Sequence, residues 1–142
     1  MFLGEFEHLI DDKGRLTLPA KFRAELVDGF VITKGIDRCL FVYTLDEWRP
    51  LAEKISRLSV TKRDARALAR LVFAGAADCV LDKQGRILIP SYLREYANLN
   101  SEVVIVGLNT LLEIWNLENW RKISQKIEEE AETIAEQLSG LI

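Results

Sequence analysis

The sequence is poor in the residues that most catalytic and metal sites require. Among 142 residues it has one histidine, His8, and two cysteines, Cys39 and Cys79, which lie far apart and form no Cys-x-x-Cys pair. It also lacks the glycine-rich phosphate loops and the Gly-x-Ser-x-Gly pattern of common enzyme classes. We therefore expect no catalytic residue, no metal site and no cofactor, and we expect both thiols to be reduced and at least half-buried.

Long apolar runs are missing as well. No stretch approaches the roughly 20 apolar residues that cross a bilayer. The first residues carry the acids Glu5 and Glu7 where a signal peptide would carry basic residues. With 49% hydrophobic and 29% charged residues, the composition is typical of a globular protein. These observations predict a cytoplasmic protein without a membrane partner.

The chain as a whole has no excess of positive charge, since its net charge is −3. Some of its segments, however, are basic. Residues 13–23 contain four basic residues and no acid, residues 54–70 contain six basic residues against Asp64, and residues 121–142 contain five acids against three basic residues. Phosphate binding depends on local patches rather than on the total charge. The charge pattern therefore permits a DNA partner without requiring one.

The chain contains an internal duplication. Residues 11–23 align with residues 82–94 at an offset of 71, with identical residues at five positions: Asp11/Asp82, Gly14/Gly85, Arg15/Arg86, Pro19/Pro90 and Arg23/Arg94. After one residue of slippage, residues 31–35 align with 103–107 and residues 40–48 align with 112–120. This order of matches predicts two tandem copies of one small unit.

Each unit is predicted to contain four short strands, a proline-led helix and a closing helix. The strands are expected at 6–10, 16–18, 30–33 and 40–43 in the first unit and at 79–81, 87–89, 103–106 and 111–115 in the second. Proline suits the first helical position, so short helices are expected from Pro19 to Leu26 and from Pro90 to Tyr96. Each Asp-x-x-x-Arg segment then lies at the end of a hairpin.

Capping residues predict the remaining helices. Thr44 and Glu47 fit a capping box, while Pro50 should kink or restart that helix. Thr61 is expected to cap a basic helix over 62–74 that stops at Gly75, and Asn116 to cap a long final helix. The final helix carries an apolar stripe formed by Ile123, Ile127, Ala131, Ile134 and Leu138.

These elements predict an α+β fold. A unit of about 45 residues buries little core by itself, whereas two units can shield each other. We expect a pseudo-dimeric β-rich barrel with peripheral helices and a long C-terminal helix. The expected segments are a first repeat at 1–53, a linker helix at 54–75, a second repeat at 76–120 and a C-terminal helix at 121–142.

The repeated Asp-x-x-x-Arg segment has a structural and a functional interpretation. Structurally, Gly14 and Gly85 allow tight turns, across which an exposed Asp–Arg pair contributes only ~0–1 kcal/mol. Functionally, the guanidinium fork matches phosphate oxygens or the O6/N7 edge of guanine, and the carboxylate orients it. The duplication favours the functional interpretation because it supplies two equivalent arginines.

Seven basic side chains are therefore candidates for DNA contact. Arg15 and Arg86 are expected at base edges or adjoining phosphates, with Lys13 and Lys83 neutralising phosphate and Asp11, Asp82, Gly14 and Gly85 shaping the loops. Three further residues either contact the backbone or form a solvated face: Lys21, Arg23 and Arg94. The basic helix is expected to be a solvated face or a subunit contact through Lys62, Arg63, Arg66 and Arg70.

The sequence resembles the MraZ family over essentially its whole length. The resemblance rests on Met1-Phe-Leu-Gly4, the doubled Asp-x-x-x-Arg segment followed each time by an apolar triplet and proline, and Leu45-Asp-Glu-Trp48. It implies a fold of two tandem swapped-hairpin units related to AbrB, and a ring-like homo-oligomer, typically of eight chains. It also implies a nucleoid-associated regulator, usually a repressor, of the bacterial division and cell-wall gene cluster. Such a regulator binds tandem repeats of double-stranded DNA upstream of its own gene. By this resemblance the motif positions are Asp11, Arg15, Asp82 and Arg86.

Two other functions remain open at this point. A structural or protein-binding ring without a DNA role could use the same arginines to bind a partner's carboxylates. An antitoxin-like relative of AbrB is disfavoured by the duplication and by the absence of a disordered toxin-binding tail. Salt dependence separates DNA binding from the first alternative, because binding to phosphates weakens steeply as salt rises.

Overall fold

The computed structural model describes residues 1–142 and confirms a mixed α+β fold with two tandem units. Eight strands are present: β1 Phe2–Leu9, β2 Arg15–Thr17, β3 Phe30–Lys34, β4 Leu40–Thr44, β5 Ala77–Cys79, β6 Arg86–Leu88, β7 Glu102–Asn109 and β8 Leu111–Asn116. Six α-helices accompany them: α1 Ala20–Leu26, α2 Leu45–Ser56, α3 Arg63–Ala69, α4 Ser91–Tyr96, α5 Leu117–Glu129 and α6 Ala131–Gln137. A π-helical turn, Arg70–Ala74, continues α3.

The larger sheet is built by strand exchange between the two repeats. Its strand order is β1-β7-β8-β4-β3-β5, and every neighbouring pair is antiparallel. The first strand of the first repeat pairs with β7 of the second repeat, and β5 of the second repeat pairs with β3 of the first. The corresponding strands of the two repeats are β1 and β5, β3 and β7, and β4 and β8. If the members of each pair are exchanged, the same strand order is obtained, read from the other end. The two repeats are therefore related by an approximate twofold axis between β4 and β8.

The two remaining strands form a small ribbon, β2/β6, that also joins the repeats. Leu16 lies opposite Ile87, Arg15 lies opposite Leu88, and Thr17 lies opposite Arg86. Side chains on a strand alternate between its two faces, so Leu16 and Ile87 share one face and the four others share the opposite face. We call the face that carries Arg15, Thr17, Arg86 and Leu88 the outer ribbon face.

One core of 19 buried residues contains side chains from both repeats. The inner face of the β2/β6 ribbon contributes Leu16 and Ile87, which are both fully buried. Phe22 of α1 and Leu93 of α4 pack into the same core. Complete burial of such a side chain contributes about 1.5–3 kcal/mol, and a single repeat would leave much of this surface in water. The shared core explains why the duplication forms one domain.

The opposite face of the large sheet carries a smaller cluster. Trp115 and the buried Cys39 belong to it, and Trp120 and Ile123 of α5 pack against it. Both cysteines are free, with Cys39 buried and Cys79 half-buried, as predicted. The start of α5 is thereby fixed on the sheet.

Two of the predicted helix caps are confirmed. The backbone N–H of Glu47 donates to Oγ1 of Thr44 at 3.2 Å, and the backbone N–H of Asn119 donates to Oδ1 of Asn116 at 2.9 Å. Pro50 neither ends nor restarts its helix, because α2 runs through it from Leu45 to Ser56.

The predicted Thr61 cap is wrong. Lys62 precedes α3 and makes no side-chain cap, while the hydroxyl of Thr61 lies 2.7 Å from that of Ser59. Serine and threonine hydroxyls bond readily to near neighbours, and this local bond competes with capping. The predicted extent of the helix is confirmed, since the helical stretch runs from Arg63 to Ala74 and Gly75 follows it, but its last turn, Arg70–Ala74, is π-helical.

The final helix is interrupted, whereas a single long helix was predicted. It begins at the Asn116 cap, but Glu130 has φ −101° and ψ 9°, and α6 starts after it. Three consecutive glutamates, 128–130, close α5, where negative charge opposes the helix dipole. No helix in the chain combines the length and apolar character that crossing a membrane requires.

Candidate nucleic-acid interface

The first Asp-x-x-x-Arg segment, residues 11–15, forms a closed turn that we call the first tip. The backbone N–H of Gly14 donates to the carbonyl of Asp11 at 3.1 Å, and Gly14 has φ +85°. Oδ1 of Asp11 accepts the backbone N–H groups of Lys13 at 3.0 Å and Arg15 at 2.8 Å. Oδ2 accepts Nε–H of Arg15 at 2.6 Å. Asp11 therefore holds both the turn and the arginine.

Residues 82–86, the second tip, repeat this geometry closely. Oδ1 of Asp82 accepts the backbone N–H groups of Gln84 and Arg86, each at 2.9 Å, and Oδ2 accepts Nε–H of Arg86 at 2.6 Å. Gly85 has φ +72° and donates its N–H to the carbonyl of Asp82 at 3.0 Å. The duplication thus preserves a conformation as well as a set of residues.

Both tip carboxylates are held in the charged form. The pKa of Asp11 is lowered chiefly because the backbone N–H of Arg15 hydrogen-bonds to it, and the Arg15 side chain adds to this effect. The pKa of Asp82 is lowered in the same way by Arg86. An ionised carboxylate accepts from Nε and keeps the guanidinium plane fixed.

The two arginines keep their terminal donors available. Only Nε of Arg15 and Nε of Arg86 bond to a carboxylate, and their Nη groups have no partner within the chain. About a third of each side chain is exposed, 35% for Arg15 and 27% for Arg86. Two Nη groups offer four N–H donors per arginine, so each tip presents a preorganised fork.

The β2/β6 ribbon brings the two arginines onto one surface. Arg15 is opposite Leu88 and Thr17 is opposite Arg86, so the two arginines are diagonal neighbours on the outer ribbon face. Diagonal neighbours on an antiparallel pair lie about 7–8 Å apart. The two tips therefore form one composite surface and not two separate binding points.

Lys13 and Lys83 extend this surface at the tips. Both residues are exposed and neither makes an ion pair within the chain. They are not equivalent positions, because Lys13 corresponds to Gln84 and Lys83 corresponds to Asp12 in the aligned repeats. The second tip is consequently more basic than the first.

Arg23 and Arg94 have a different role from the other candidates. Nε and Nη2 of Arg23 donate to the carbonyl of Leu18 at 3.0 and 2.8 Å, and Nε of Arg94 donates to the carbonyl of Ile89 at 3.0 Å. Arg94 also lies directly against the first tip, since a Cβ atom on Gly14 would come within 2.7 Å of its Nε. Each arginine thus supports the tip of the other repeat.

The tips are further linked by backbone hydrogen bonds between repeats. The N–H of Ile89 donates to the carbonyl of Gly14 at 2.8 Å, and the N–H of Leu18 donates to the carbonyl of Gly85 at 3.0 Å. Each tip is therefore fixed by the strand that follows the other tip. This arrangement gives the surface rigidity that local turn residues alone would not supply.

Other basic side chains lie away from the outer ribbon face. Nζ of Lys21 lies 4.6 Å from the ring centre of Phe6 and 5.3 Å from that of Phe22, within cation–π distance. In the linker, Nη1 of Arg66 donates to the carbonyl of Val60. These contacts give Lys21 and Arg66 structural roles.

Sequence reasoning missed two features of this surface and found a third, the turn role of Asp11. Thr17 and Leu88 share the outer face with the arginines, which only the pairing of β2 with β6 reveals. The supporting roles of Arg23 and Arg94 depend on contacts between repeats that are 71 residues apart in sequence. The turn role of Asp11 had a local signal, because aspartate at the start of a turn commonly accepts the N–H two residues on.

Comparison with known proteins matches the whole chain. The family model described as "MraZ protein, putative antitoxin-like" matches residues 1–71 and again residues 72–141. A protein of Caldanaerobacter subterraneus subsp. tengcongensis named Transcriptional regulator MraZ is 53% identical over 140 residues, covering 99% of this chain and 98% of its own. A protein of the same name from Desulforamulus reducens is 50% identical over 142 residues, covering all of both chains.

A third protein of that name, from Caldicellulosiruptor saccharolyticus, is 54% identical over 140 residues, covering 91% of this chain and 98% of its own. The two family matches divide the chain at residue 71, which agrees with the internal duplication and with the twofold relation of the sheet. The chain therefore belongs to the MraZ family.

Proposed function

We propose that this chain is a transcriptional regulator that binds double-stranded DNA through the outer ribbon face. The relatives at 50–54% identity carry the name Transcriptional regulator MraZ. The observation that carries the proposal is the pair of arginines, Arg15 and Arg86, on one exposed face with their Nη donors unpaired.

The geometry suits a duplex in several respects. The major groove, about 12 Å wide, admits a two-stranded β-ribbon. Arg15 and Arg86 then reach the O6/N7 edge of guanine or the adjoining phosphates, while Lys13 and Lys83 neutralise phosphates at the groove edges. Because Asp11 and Asp82 already fix each guanidinium, less side-chain freedom is lost on binding.

We further propose that the protein acts as a ring-like homo-oligomer, of about eight chains, in the cytoplasm and on the nucleoid. One chain of net charge −3 with few cationic contacts binds weakly. A ring that offers several ribbons to tandem repeats gains affinity because later contacts become intramolecular. Repeats about one helical turn apart present equivalent groove positions to neighbouring subunits. The proposed target is the division and cell-wall gene cluster, repressed from repeats upstream of the regulator's own gene.

The test compares binding of the wild-type protein and three variants to that upstream region and to a duplex with one repeat. The variants are Arg15→Ala, Arg86→Ala and the double change. A bidentate arginine contact is worth about 1–3 kcal/mol, so each single change should weaken single-repeat binding by roughly 5- to 150-fold. Salt titration should show a smaller slope for any variant that loses a phosphate contact.

A charge-matched control separates local contacts from net charge. Arg49→Ala with Arg121→Ala removes two exposed arginines that lie outside the ribbon. This control should retain wild-type affinity. Equal binding by all variants would contradict the assignment of the outer ribbon face as the binding surface. Absence of duplex binding at low salt would instead favour a protein partner whose carboxylates contact the arginines.

A further inference from the structure

Two surfaces far from the outer ribbon face have no partner within the chain. The first is a groove of about 220 Å³ between the end of α2 and α3, which we call the linker groove. Its apolar wall is formed by Ile55, Leu58, Val60, Ala65 and Ala69. Leu58 is 44% exposed and Val60 is 75% exposed. Since an apolar cavity of about 150 Å³ holds a benzene molecule, the linker groove has room for an aliphatic side chain.

The linker groove lies in a basic segment of the chain, and the two cations that line it, Arg66 and Arg70, are neutralised by no carboxylate. Five basic side chains of this region make no ion pair within the chain, in contrast to Arg57, which pairs with Glu53. They are Lys54, Lys62, Arg63, Arg66 and Arg70. Asp64 is the only acid among residues 54–70. An apolar slot bordered by unpaired cations fits an acidic amphipathic helix.

The second surface is the acidic tail, residues 127–142. Its apolar residues recur at alternating steps of four and three: Ile127, Ala131, Ile134, Leu138 and Leu141. This spacing is that of one helical stripe, which the structure divides at Glu130: Ile127 lies on α5, Ala131 and Ile134 lie on α6, and Leu138 and Leu141 follow the end of α6. Leu138 is 44% exposed and Leu141 is 78% exposed, and no residue beyond Ile123 packs against either core cluster. Ile127, Leu138 and Leu141 are exposed and Ile134 is half-buried, so most of the stripe is open to solvent.

The acidic tail also carries unpaired charge of the opposite sign. None of its five carboxylates makes a salt bridge, namely Glu128, Glu129, Glu130, Glu132 and Glu136. Gln125 donates to Glu129, and this is the only side-chain hydrogen bond to any of them. Two acidic tails packed together would bring like charges side by side, and two linker grooves would do the same with cations.

We infer that the acidic tail of one copy docks into the linker groove of a second copy of this chain. Ile134 and Leu138 enter the apolar slot. Glu128 and Glu130 precede Ala131 and Ile134 by three and four residues, so they lie beside the apolar stripe and approach the cations along the border of the slot. The contact joins two different surfaces, so each chain can use its groove and its tail at once with two different neighbours. Such a head-to-tail contact generates a ring when its rotation closes. This inference rests on the proposed ring assembly and assigns the surfaces that form it.

Charge reversal tests the contact. The groove variant is Arg63→Glu with Arg70→Glu, and the tail variant is Glu128→Lys with Glu130→Lys. Sedimentation velocity should show each variant alone falling from the wild-type oligomer to the mass of a single chain, because reversed charges repel the remaining partner. Glu95→Lys with Glu102→Lys is the matched control, with the same change in net charge as the tail variant at exposed sites outside both surfaces. It should keep the wild-type mass.

Mixing the two variants distinguishes a lost contact from misfolding. In a mixture, the unchanged acidic tail of the groove variant meets the unchanged basic groove of the tail variant, and the reversed tail meets the reversed groove. Oligomers of strictly alternating subunits should therefore reappear, whereas a merely misfolded variant would not be rescued. Combining all four substitutions in one chain should likewise restore assembly.

The outcomes separate this inference from the proposed function. An oligomer of unchanged mass in the groove and tail variants would overturn the docking contact, as would a wild-type protein that is monomeric at all concentrations. Neither result would affect single-repeat binding through Arg15 and Arg86, which uses a surface outside the contact. Failure of the wild-type oligomer to bind the duplex would instead contradict the proposed function without contradicting the docking contact.

Discussion

Replacing Gly14 by alanine tests whether the two repeats are locked together at the tips. Gly14 has φ +85°, and an added Cβ would lie 2.7 Å from the carbonyl oxygen of Ile89. The backbone N–H of the same residue, Ile89, donates to the carbonyl oxygen of Gly14 at 2.8 Å. The substitution therefore adds backbone strain and also pushes apart the two segments, one from each repeat, that this hydrogen bond joins.

The two costs can be estimated separately. A left-handed backbone conformation costs an L-residue about 1–2 kcal/mol. Loss of the hydrogen bond from Ile89 adds about 1–2 kcal/mol, since its N–H is left without that acceptor. At about 2.1 cal/mol/K of unfolding entropy per residue, 1 kcal/mol corresponds to about 3 °C for 142 residues. Gly14→Ala should therefore lower Tm by roughly 6–12 °C.

Gly29→Ala is the control that isolates the backbone strain. Gly29 has φ +105° and is buried, but its added Cβ would meet no atom closer than 3.5 Å. This variant should lose only about 1–2 kcal/mol, or roughly 3–6 °C. Gly140→Ala, with φ +90° and no atom within 4 Å of the added Cβ, also adds backbone strain alone and should lose at most the same 1–2 kcal/mol. Urea unfolding at one fixed protein concentration would compare the three variants, and equal losses for Gly14→Ala and Gly29→Ala would refute the interlock.

Three further predictions address the cap, the tip carboxylates and the thiols. Asn116→Ala should cost about 1–2 kcal/mol in urea unfolding, because the first turn of α5 loses its cap. The lowered pKa values of Asp11 and Asp82 give stability that is present above their unfolded pKa and lost as the pH falls below about 4. Wild-type stability should thus fall more steeply in acid than that of a chain with both aspartates changed to Asn; parallel curves would contradict this. Burial raises the pKa of Cys79 to about 11 and raises the pKa of the wholly buried Cys39 further. Near pH 8 a maleimide should therefore label both thiols slowly, with Cys79 reacting before Cys39, and labelling should become fast only when the protein unfolds.

Local chemistry predicted the elements that depend on near neighbours. The tips follow from aspartate and glycine at fixed spacing, and the caps at Thr44 and Asn116 follow from side chains that accept N–H groups within one turn. Pro19 and Pro90 start their helices within one residue of the predicted position, as N-cap rather than first helical residues. In each case the deciding contacts lie within four residues along the chain.

Pairing between distant strands could not be predicted in the same way. The sequence indicated that two repeats associate. It did not indicate that β1 pairs with β7 and β5 with β3, because that exchange depends on which strand of the other repeat each one pairs with. For the same reason the sequence predicted two separate tips rather than one surface. Arg15 and Arg86 become neighbours only through the register of β2 against β6, and a shift of one residue would point them into the core.

Under the proposed function, the approximate twofold relation has a consequence for the sequence symmetry of the DNA site. A true homodimer presents two identical sets of side chains to the duplex and therefore favours a palindromic DNA sequence. Here the symmetry is carried by one polypeptide, and the halves have already diverged at Asp12 and Lys83, as at Lys13 and Gln84. A duplex need not be palindromic to be complementary to such a ribbon.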